Sequence, residues 1–187
     1  MGFDTGPGNT LLDHWIARHR EKPYDQDGQW SAAGQVHQVL LDKLLAHSYF
    51  SKTGARSTGK EAFNLAWLDS QLAELGAITA TNVQATLMEF TCISITRAIR
   101  SCPLKISEVY ICGGGSHNSH LMQRLAQCLA PATLANTSAI GMDPDWVEAV
   151  TFAWLASRTL EGLSGNSPAV TGASGARIVG GIYLSGI

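Results

Sequence analysis

The chain has 187 residues, 45% of them hydrophobic and 15% charged, with a formal net charge of −2. That length and balance fit one domain with a real core, with room for a small subdomain, and exclude a disordered segment. Lys and Arg stand singly with no basic stripe, so neither nucleic acid nor an acidic membrane surface is expected as a partner.

The chain enters a dense turn within four residues of Met1, as a chain would if it began inside a larger fold. Phe3 reads as the end of a strand, and Asp4-Thr5-Gly6-Pro7-Gly8-Asn9 as a turn. A helix follows, with Leu11, Leu12, Trp15 and Ile16 on one face and His14, Arg18 and Arg20 on the other. Lys22 to Gly28 is a polar loop. Ser31 is predicted to cap a second helix whose apolar set is Val36, Val39, Leu40, Leu44 and Leu45. Ser48 to Glu61 is irregular. A third helix starts near Asn64, carries Leu65, Leu68, Leu72 and Leu75, and stops at Gly76. Thr79 or Thr81 opens a long fourth helix to about Arg100, with Val83, Leu87, Phe90, Cys92 and Ile93 toward the core.

Val109 to Cys112 reads as a buried strand, and Gly113-Gly114-Gly115 as a turn that lets a backbone or a ligand come close. Asn118 is placed to cap the next helix, whose apolar face is Leu121, Met122, Leu125 and Leu129. A strand feeding a glycine turn and a helix start suits anions and nucleotides, and it equally suits a tight turn with no ligand. Pro131 ends that helix, and Ala132 to Asn136 reads as a short strand. Asp143 before Pro144 is a helix-start signal. The helix after it carries Trp146, Val147, Val150, Phe152, Ala153, Leu155 and Leu160, apolar nearly all round, and is expected to be deeply buried. Gly162 to Gly175 is loop, and Arg177 to Leu184 reads as a final strand. The sum is a helix-heavy α/β chain, helices packed on one small sheet. The many apolar helices allow a homodimer, with no interface identified.

The four cysteines, Cys92, Cys102, Cys112 and Cys128, form no C-x-x-C pair, and three sit in apolar patterns, which reads as buried, reduced thiols. No charged-then-apolar leader and no apolar run of about 18 residues is present, so a soluble cytoplasmic protein is expected.

Asp4 is the sharpest candidate for chemistry. A carboxylate at a strand end, inside a glycine-proline turn, is rigidly held and open to a substrate proton, as a general base needs. The competing reading is an aspartate that only caps its own turn. Asp4-Thr5-Gly6 also spells the aspartic-protease signature, but that chemistry belongs to an all-β fold, and helix after helix follows here. Gly54 to Lys60 nearly matches a phosphate-binding loop, yet Glu61 stands where Ser or Thr would hold magnesium, and no strand leads in. A chance match is the better reading, and the alternative is a positioning loop whose Arg56 and Lys60 could reach a phosphate or an acidic sugar. His117 and His120 lack the third protein ligand that zinc requires and are read as solvent-facing. Glu148 lies in the first turn of the apolar helix, either at its solvent edge or in a cleft.

With these motifs assembled, the chain resembles the C-terminal half of anhydro-N-acetylmuramic acid kinase, a family of the sugar kinase and actin-like ATPase superfamily. The resemblance runs nearly end to end. It rests on Gly2-Phe3-Asp4-Thr5-Gly6-Pro7-Gly8-Asn9, on Ser57-Thr58-Gly59-Lys60-Glu61 with Phe63-Asn64 and Trp67-Leu68, and on Val83-Gln84-Ala85-Thr86-Leu87. It continues through Cys112-Gly113-Gly114-Gly115 with Asn118, Glu148-Ala149 with Phe152-Ala153-Trp154-Leu155-Ala156, and Gly165-Asn166 with Val170-Thr171-Gly172-Ala173. One departure is Ser164, where relatives tend to carry proline.

The resemblance implies a ribonuclease H-like, helix-rich lobe, spanning residues 1–187 as one unit. It implies ATP and Mg2+ as cofactors and a 1,6-anhydro amino sugar as substrate, phosphorylated at O6 with hydrolytic opening of the ring, in peptidoglycan recycling. Asp4 would be the catalytic base. Gly113, Gly114, Gly115 and Asn118 would bind ATP, and Glu148 and Asn9 would contact the sugar. A Gly-Thr-Ser-x-Asp-Gly phosphate loop, carried by relatives in an N-terminal lobe, has no match in residues 1–187. The isolated chain is therefore expected to be inactive. The alternative is a non-catalytic nucleotide- or sugar-binding lobe that needs a partner chain.

Overall fold

The computed structural model describes residues 2–183. In chain order the elements are α1 (Thr10–Arg20), α2 (Gln29–Ala32), α3 (Gln38–Leu45), α4 (Leu65–Leu72), α5 (Ala80–Arg100), β1 (Glu108–Ile111), α6 (Ser119–Leu129), β2 (Thr133–Asn136), α7 (Val147–Leu160) and α8 (Pro168–Thr171). The fold is α/β and helix-rich, with β1 and β2 paired in parallel from Glu108 against Thr133 to Ile111 against Asn136. Parallel neighbours need a crossover, and α6 supplies it.

Helix α5 is the hub. Thr79 caps it by accepting from Asn82 N, and α1, α2, α3 and α6 all pack on it. Val83, Leu87, Phe90 and Cys92 are buried as the pattern requires, and Ile93 is half-buried. The surprise is polar. Gln84, Thr86, Glu89, Thr91, Ser94 and Thr96 are buried on the same helix. Most have partners, as buried polar groups require. Thr86 Oγ1 donates to Asn82 O and accepts from His37 N. Glu89 takes a two-pronged bond from Arg124 of α6, Nε to Oε2 at 2.7 Å and Nη2 to Oε1 at 2.6 Å. Arg124→Lys keeps the charge but loses the fork. It is expected to cost about 1–2 kcal/mol, read as a lower urea midpoint.

The second helix does not start at Ser31. Ser31 lies inside the short α2, and α3 begins at Gln38, capped by His37. Gly34 explains the break: a Cβ there would sit 2.4 Å from Thr81 O. The segment presses on α5 and gives its amides to α5 side chains, Gln35 N to Asn82 Oδ1 and His37 N to Thr86 Oγ1, both at 2.9 Å. Val36 and Val39 are consequently exposed, while Leu40 and Leu44 are buried.

Other expectations also change. Phe3 is not in a strand, α4 ends at Leu72 rather than Gly76, and the loop after Gly162 contains α8. Strand β1 alternates exposed and half-buried residues, so it is not a buried strand. Cys112 is exposed, Cys102 and Cys128 are half-buried, and only Cys92 is fully buried. Asp143 does not cap α7. Its carboxylate accepts from Asp145 N at 2.9 Å in a turn, and α7 starts at Val147 after Trp146. Residues 177–183 form no strand, and Leu184 lies outside the described residues. Arg177 is tied to Asn166 instead, its N–H donating to Asn166 Oδ1 at 2.7 Å.

The largest correction is α7. Trp146 is 62% exposed, Phe152 64% and Leu160 74%, and no residue of the helix is buried. An all-round apolar helix needs neighbours on every side, and α7 makes no substantial packing contact with another element among the described residues.

Candidate active site

Two glycine turns, more than a hundred residues apart in sequence, meet at the edge of the helical core. The first is the turn from Asp4 to Asn9. Gly8 has φ +57°, which favours glycine. Its carbonyl accepts from Thr91 Oγ1 of α5 at 2.9 Å, and a Cβ on Gly6 would lie 3.1 Å from Ser94 Oγ. The buried hydroxyls of α5 thus fasten the turn.

Asp4 is fixed at every backbone group. Its N–H donates to Arg56 O at 3.0 Å, and its carbonyl accepts from Tyr49 OH at 2.6 Å. Its Oδ2 accepts from Ser57 Oγ at 2.9 Å and Thr58 N at 2.8 Å. The side chain is exposed, and Oδ1 has no hydrogen-bond partner among the described residues. One carboxylate oxygen is anchored and the other is open, the arrangement a positioned base requires. The two bonds to Oδ2 tie Asp4 to the 57–58 segment, not to its own turn.

Arg56 does not reach out for an anion. Its guanidinium lies 4.1 Å from the Phe3 ring centre and 5.7 Å from that of Tyr49. Burial pushes the Tyr49 phenol above its ordinary value, so it stays a donor to Asp4. Tyr49→Phe removes that donor and is expected to cost about 1 kcal/mol, lowering Tm by about 2–4 °C in a thermal scan. Lys60 lines a small cleft of about 110 Å³ together with Gly6, Pro7, Thr10, Thr58, Gly59 and Phe63.

The second turn follows β1. Gly113 has φ +74°, and its N–H donates to Pro144 O at 2.9 Å. His117 Nε2 lies 2.8 Å from Asp145 Oδ1, so the turn is pinned to the 143–146 segment at two points. Gly114 and Gly115 N–H have no backbone partner among the described residues. Asn118 Oδ1 accepts from Leu121 N at 2.9 Å and caps α6 as expected.

The two turns touch. A Cβ on Gly115 would lie 3.1 Å from Asn9 Nδ2, so only glycine lets Asn9 in this close. Beside that contact opens a cavity of about 460 Å³, lined by Asn9, Leu12, Asp13, residues 24–27, Gly114, His117 and Asn118. The structure therefore brings Asn9, Gly114 and Asn118 together, with Gly113 and Gly115 in the same turn and Asp4 on the same loop as Asn9. Glu148 is exposed in the first turn of α7 and lines neither cavity.

Sequence reasoning missed Tyr49, Thr91 and Asp13. A threonine inside an apolar helical face was the signal for Thr91. Among the described residues no group of three His, Cys, Asp or Glu is placed to hold a metal ion, and no helix is long and apolar enough to cross a membrane.

A strand, a glycine turn and a helix thus meet a second glycine turn bearing an open carboxylate, with a cavity of about 460 Å³ beside the contact, a concave arrangement of the kind α/β lobes use for ligands. The profile of the family described as anhydro-N-acetylmuramic acid kinase matches residues 1–185. The chain is 50% identical over 182 residues to the anhydro-N-acetylmuramic acid kinase of Pseudomonas savastanoi pv. phaseolicola, covering 97% of this chain and 50% of that protein. The enzyme of that name from Pseudomonas fluorescens (strain Pf0-1) gives the same identity and coverage. That of Shewanella sp. (strain ANA-3) is 50% identical over 183 residues, 98% of this chain and 49% of its own. The chain belongs to the anhydro-N-acetylmuramic acid kinase family, and it spans about half the length of the curated relatives it matches.

Proposed function

We propose that residues 1–187 are the C-terminal lobe of an actin-like, ribonuclease H-like sugar kinase that phosphorylates 1,6-anhydro-N-acetylmuramic acid with ATP, in cytoplasmic peptidoglycan recycling. Asp4 Oδ1 takes a proton from water, and that water attacks the anomeric carbon. The bond from that carbon to O6 breaks, and O6 accepts the γ-phosphoryl of ATP. The products are N-acetylmuramic acid 6-phosphate and ADP. Positioning supplies much of the rate in such a reaction, and the anchoring of Asp4 at N–H, carbonyl and Oδ2 serves that need. Gly113 to Gly115 and Asn118 hold the adenosine end, and Asn9 stands between nucleotide and sugar. Glu148 contacts the sugar only if α7 is brought over the site by the rest of the kinase. Mg2+, which the kinase reading implies, would come with the phosphates of ATP, held by them, by water and by one or two carboxylates.

The observation that carries the reading is the contact of Asn9 with Gly115, which puts the turn bearing the base beside the glycine turn. The second reading is a nucleotide- or sugar-binding lobe that has no catalysis of its own and acts with a partner chain. One experiment separates them. The 187-residue chain is assayed for ATP-dependent phosphorylation of the anhydro sugar, alone and joined to the N-terminal half of the Pseudomonas fluorescens relative. The proposal predicts no turnover alone and phosphorylated, ring-opened sugar from the joined protein. A joined, folded protein that binds the sugar without phosphorylating it leaves only the binding lobe.

A further inference from the structure

Three carboxylates line the large cavity beside the glycine turn: Asp13, Asp25 and Asp27. Two are already engaged. Asp25 accepts from Trp30 N at Oδ1 and from Ser31 N at Oδ2, both at 2.9 Å. Asp27 Oδ1 accepts from Ser119 Oγ at 2.8 Å. Asp13 has no side-chain hydrogen bond among the described residues, although it is half-buried. It lies on α1 one turn after Asn9, whose carbonyl accepts from Asp13 N at 2.9 Å, so both side chains share the face that lines the cavity. Gly114 and Asn118 line it as well.

A cavity walled by three carboxylates repels phosphate, so an uncharged part of a nucleotide belongs in it. A half-buried carboxylate with both oxygens free asks for neighbouring hydrogen-bond donors on the ligand. We propose that Asp13 is a specificity-determining residue of the nucleotide site, its carboxylate accepting hydrogen bonds from the vicinal hydroxyls of the ribose. This rests on the nucleotide reading given above.

Keeping Asp13 unpaired works against folding. Burial first, then the nearby Asp25, pushes its carboxyl up to about 6 from an ordinary value of 3.8, and His14 opposes this in part. Tyr24, Asp27 and His117 are the other titratable groups lining the cavity. Because the folded state holds the proton more tightly, Asp13's contribution to stability is fully present below about pH 4 and is lost as pH rises through about 6. A group that destabilises the fold at neutral pH and binds nothing within it fits a role toward a ligand.

The test uses the 187-residue chain with adenosine and 2′,3′-dideoxyadenosine, by calorimetric titration at pH 7.5, together with thermal scans at pH 7.5 and pH 4. The wild-type chain is expected to prefer adenosine by about tenfold or more. Asp13→Asn and Asp13→Ala are expected to lose that preference, while Asp13→Asn melts higher than wild type at pH 7.5 and alike at pH 4. A purely structural Asp13 would not combine a gain in Tm with a loss of ribose discrimination. Equal affinity of the wild type for both nucleosides, or discrimination retained in Asp13→Asn, overturns the inference while leaving the nucleotide reading intact. No adenosine binding by the wild type overturns both.

Discussion

Asp4→Asn, placed in the chain joined to the N-terminal half of the Pseudomonas fluorescens relative, is expected to lower kcat for the anhydro sugar by about a hundred- to ten-thousand-fold. The substitution changes little else. An amide oxygen takes the place of Oδ2 and accepts the same bonds from Ser57 Oγ and Thr58 N, so the turn keeps its anchor. What is lost is the basicity of the free oxygen. KM for the sugar should therefore stay near the wild-type value while kcat falls, the mark of an interaction made in the transition state. Tm should stay within about 2 °C. A similar loss of Tm and activity together would instead make Asp4 a structural cap of the 57–58 segment.

Phe90→Ala carries the largest expected stability effect. Phe90 is fully buried at the middle of α5. Its ring meets Phe50 edge-on at 5.5 Å, and Phe63 and Trp67 both at 6.3 Å. These three come from the segments after α3 and around the start of α4, so one ring ties α5 to both. Truncation opens a cavity that the edge-on packing does not let collapse, at a cost of about 3–5 kcal/mol. Against a total stability of about 5–15 kcal/mol, that removes a large share. Urea denaturation followed by tryptophan fluorescence reads it directly. The damage also reaches the site, because Thr91, the next residue, holds Gly8 of the Asp4 turn.

Helices α1, α5 and α6 were legible because local rules and tertiary packing agree there. Leu11, Leu12, Trp15 and Ile16 share a face and are all buried, Asn118 caps α6 as expected, and α4 and α5 are capped by Asn64 and Thr79, where starts were expected near Asn64 and at Thr79 or Thr81. The failures have one origin, which is contact with something distant. Gly34 looks harmless in a helical window, yet its absent Cβ leaves room for Thr81 O, and that approach splits the predicted helix. The apolar residues of α7 promise burial only if partners exist on all sides, and Trp146, Phe152 and Leu160 stay mostly exposed among the described residues. Arg177 to Tyr183 has strand composition, but β1 and β2 pair with each other and no further strand pairs with them among the described residues.

The same division holds at the site. Asp4, Gly114 and Asn118 were legible because turn and cap chemistry singles out those residue types, while a role for Asn9 came only from the family resemblance. Tyr49 and Thr91 were not, since their bonds span 45 and 83 residues. Asp13 was hidden as an ordinary first-turn acid, and only the cavity distinguishes it from one.

The central claim is that the Asp4 turn and the Gly113 to Gly115 turn form the two halves of one site, sugar on the first and nucleotide on the second. Amide NMR of the 187-residue chain, titrated separately with the anhydro sugar and with adenosine, tests it most directly. The account predicts that the sugar shifts Gly6, Thr58 and Gly59, that adenosine shifts Gly114, Asn118 and Asp27, and that both shift Asn9. Shifts confined to other parts of the chain, or the two ligands displacing each other from a single set of amides, would contradict it.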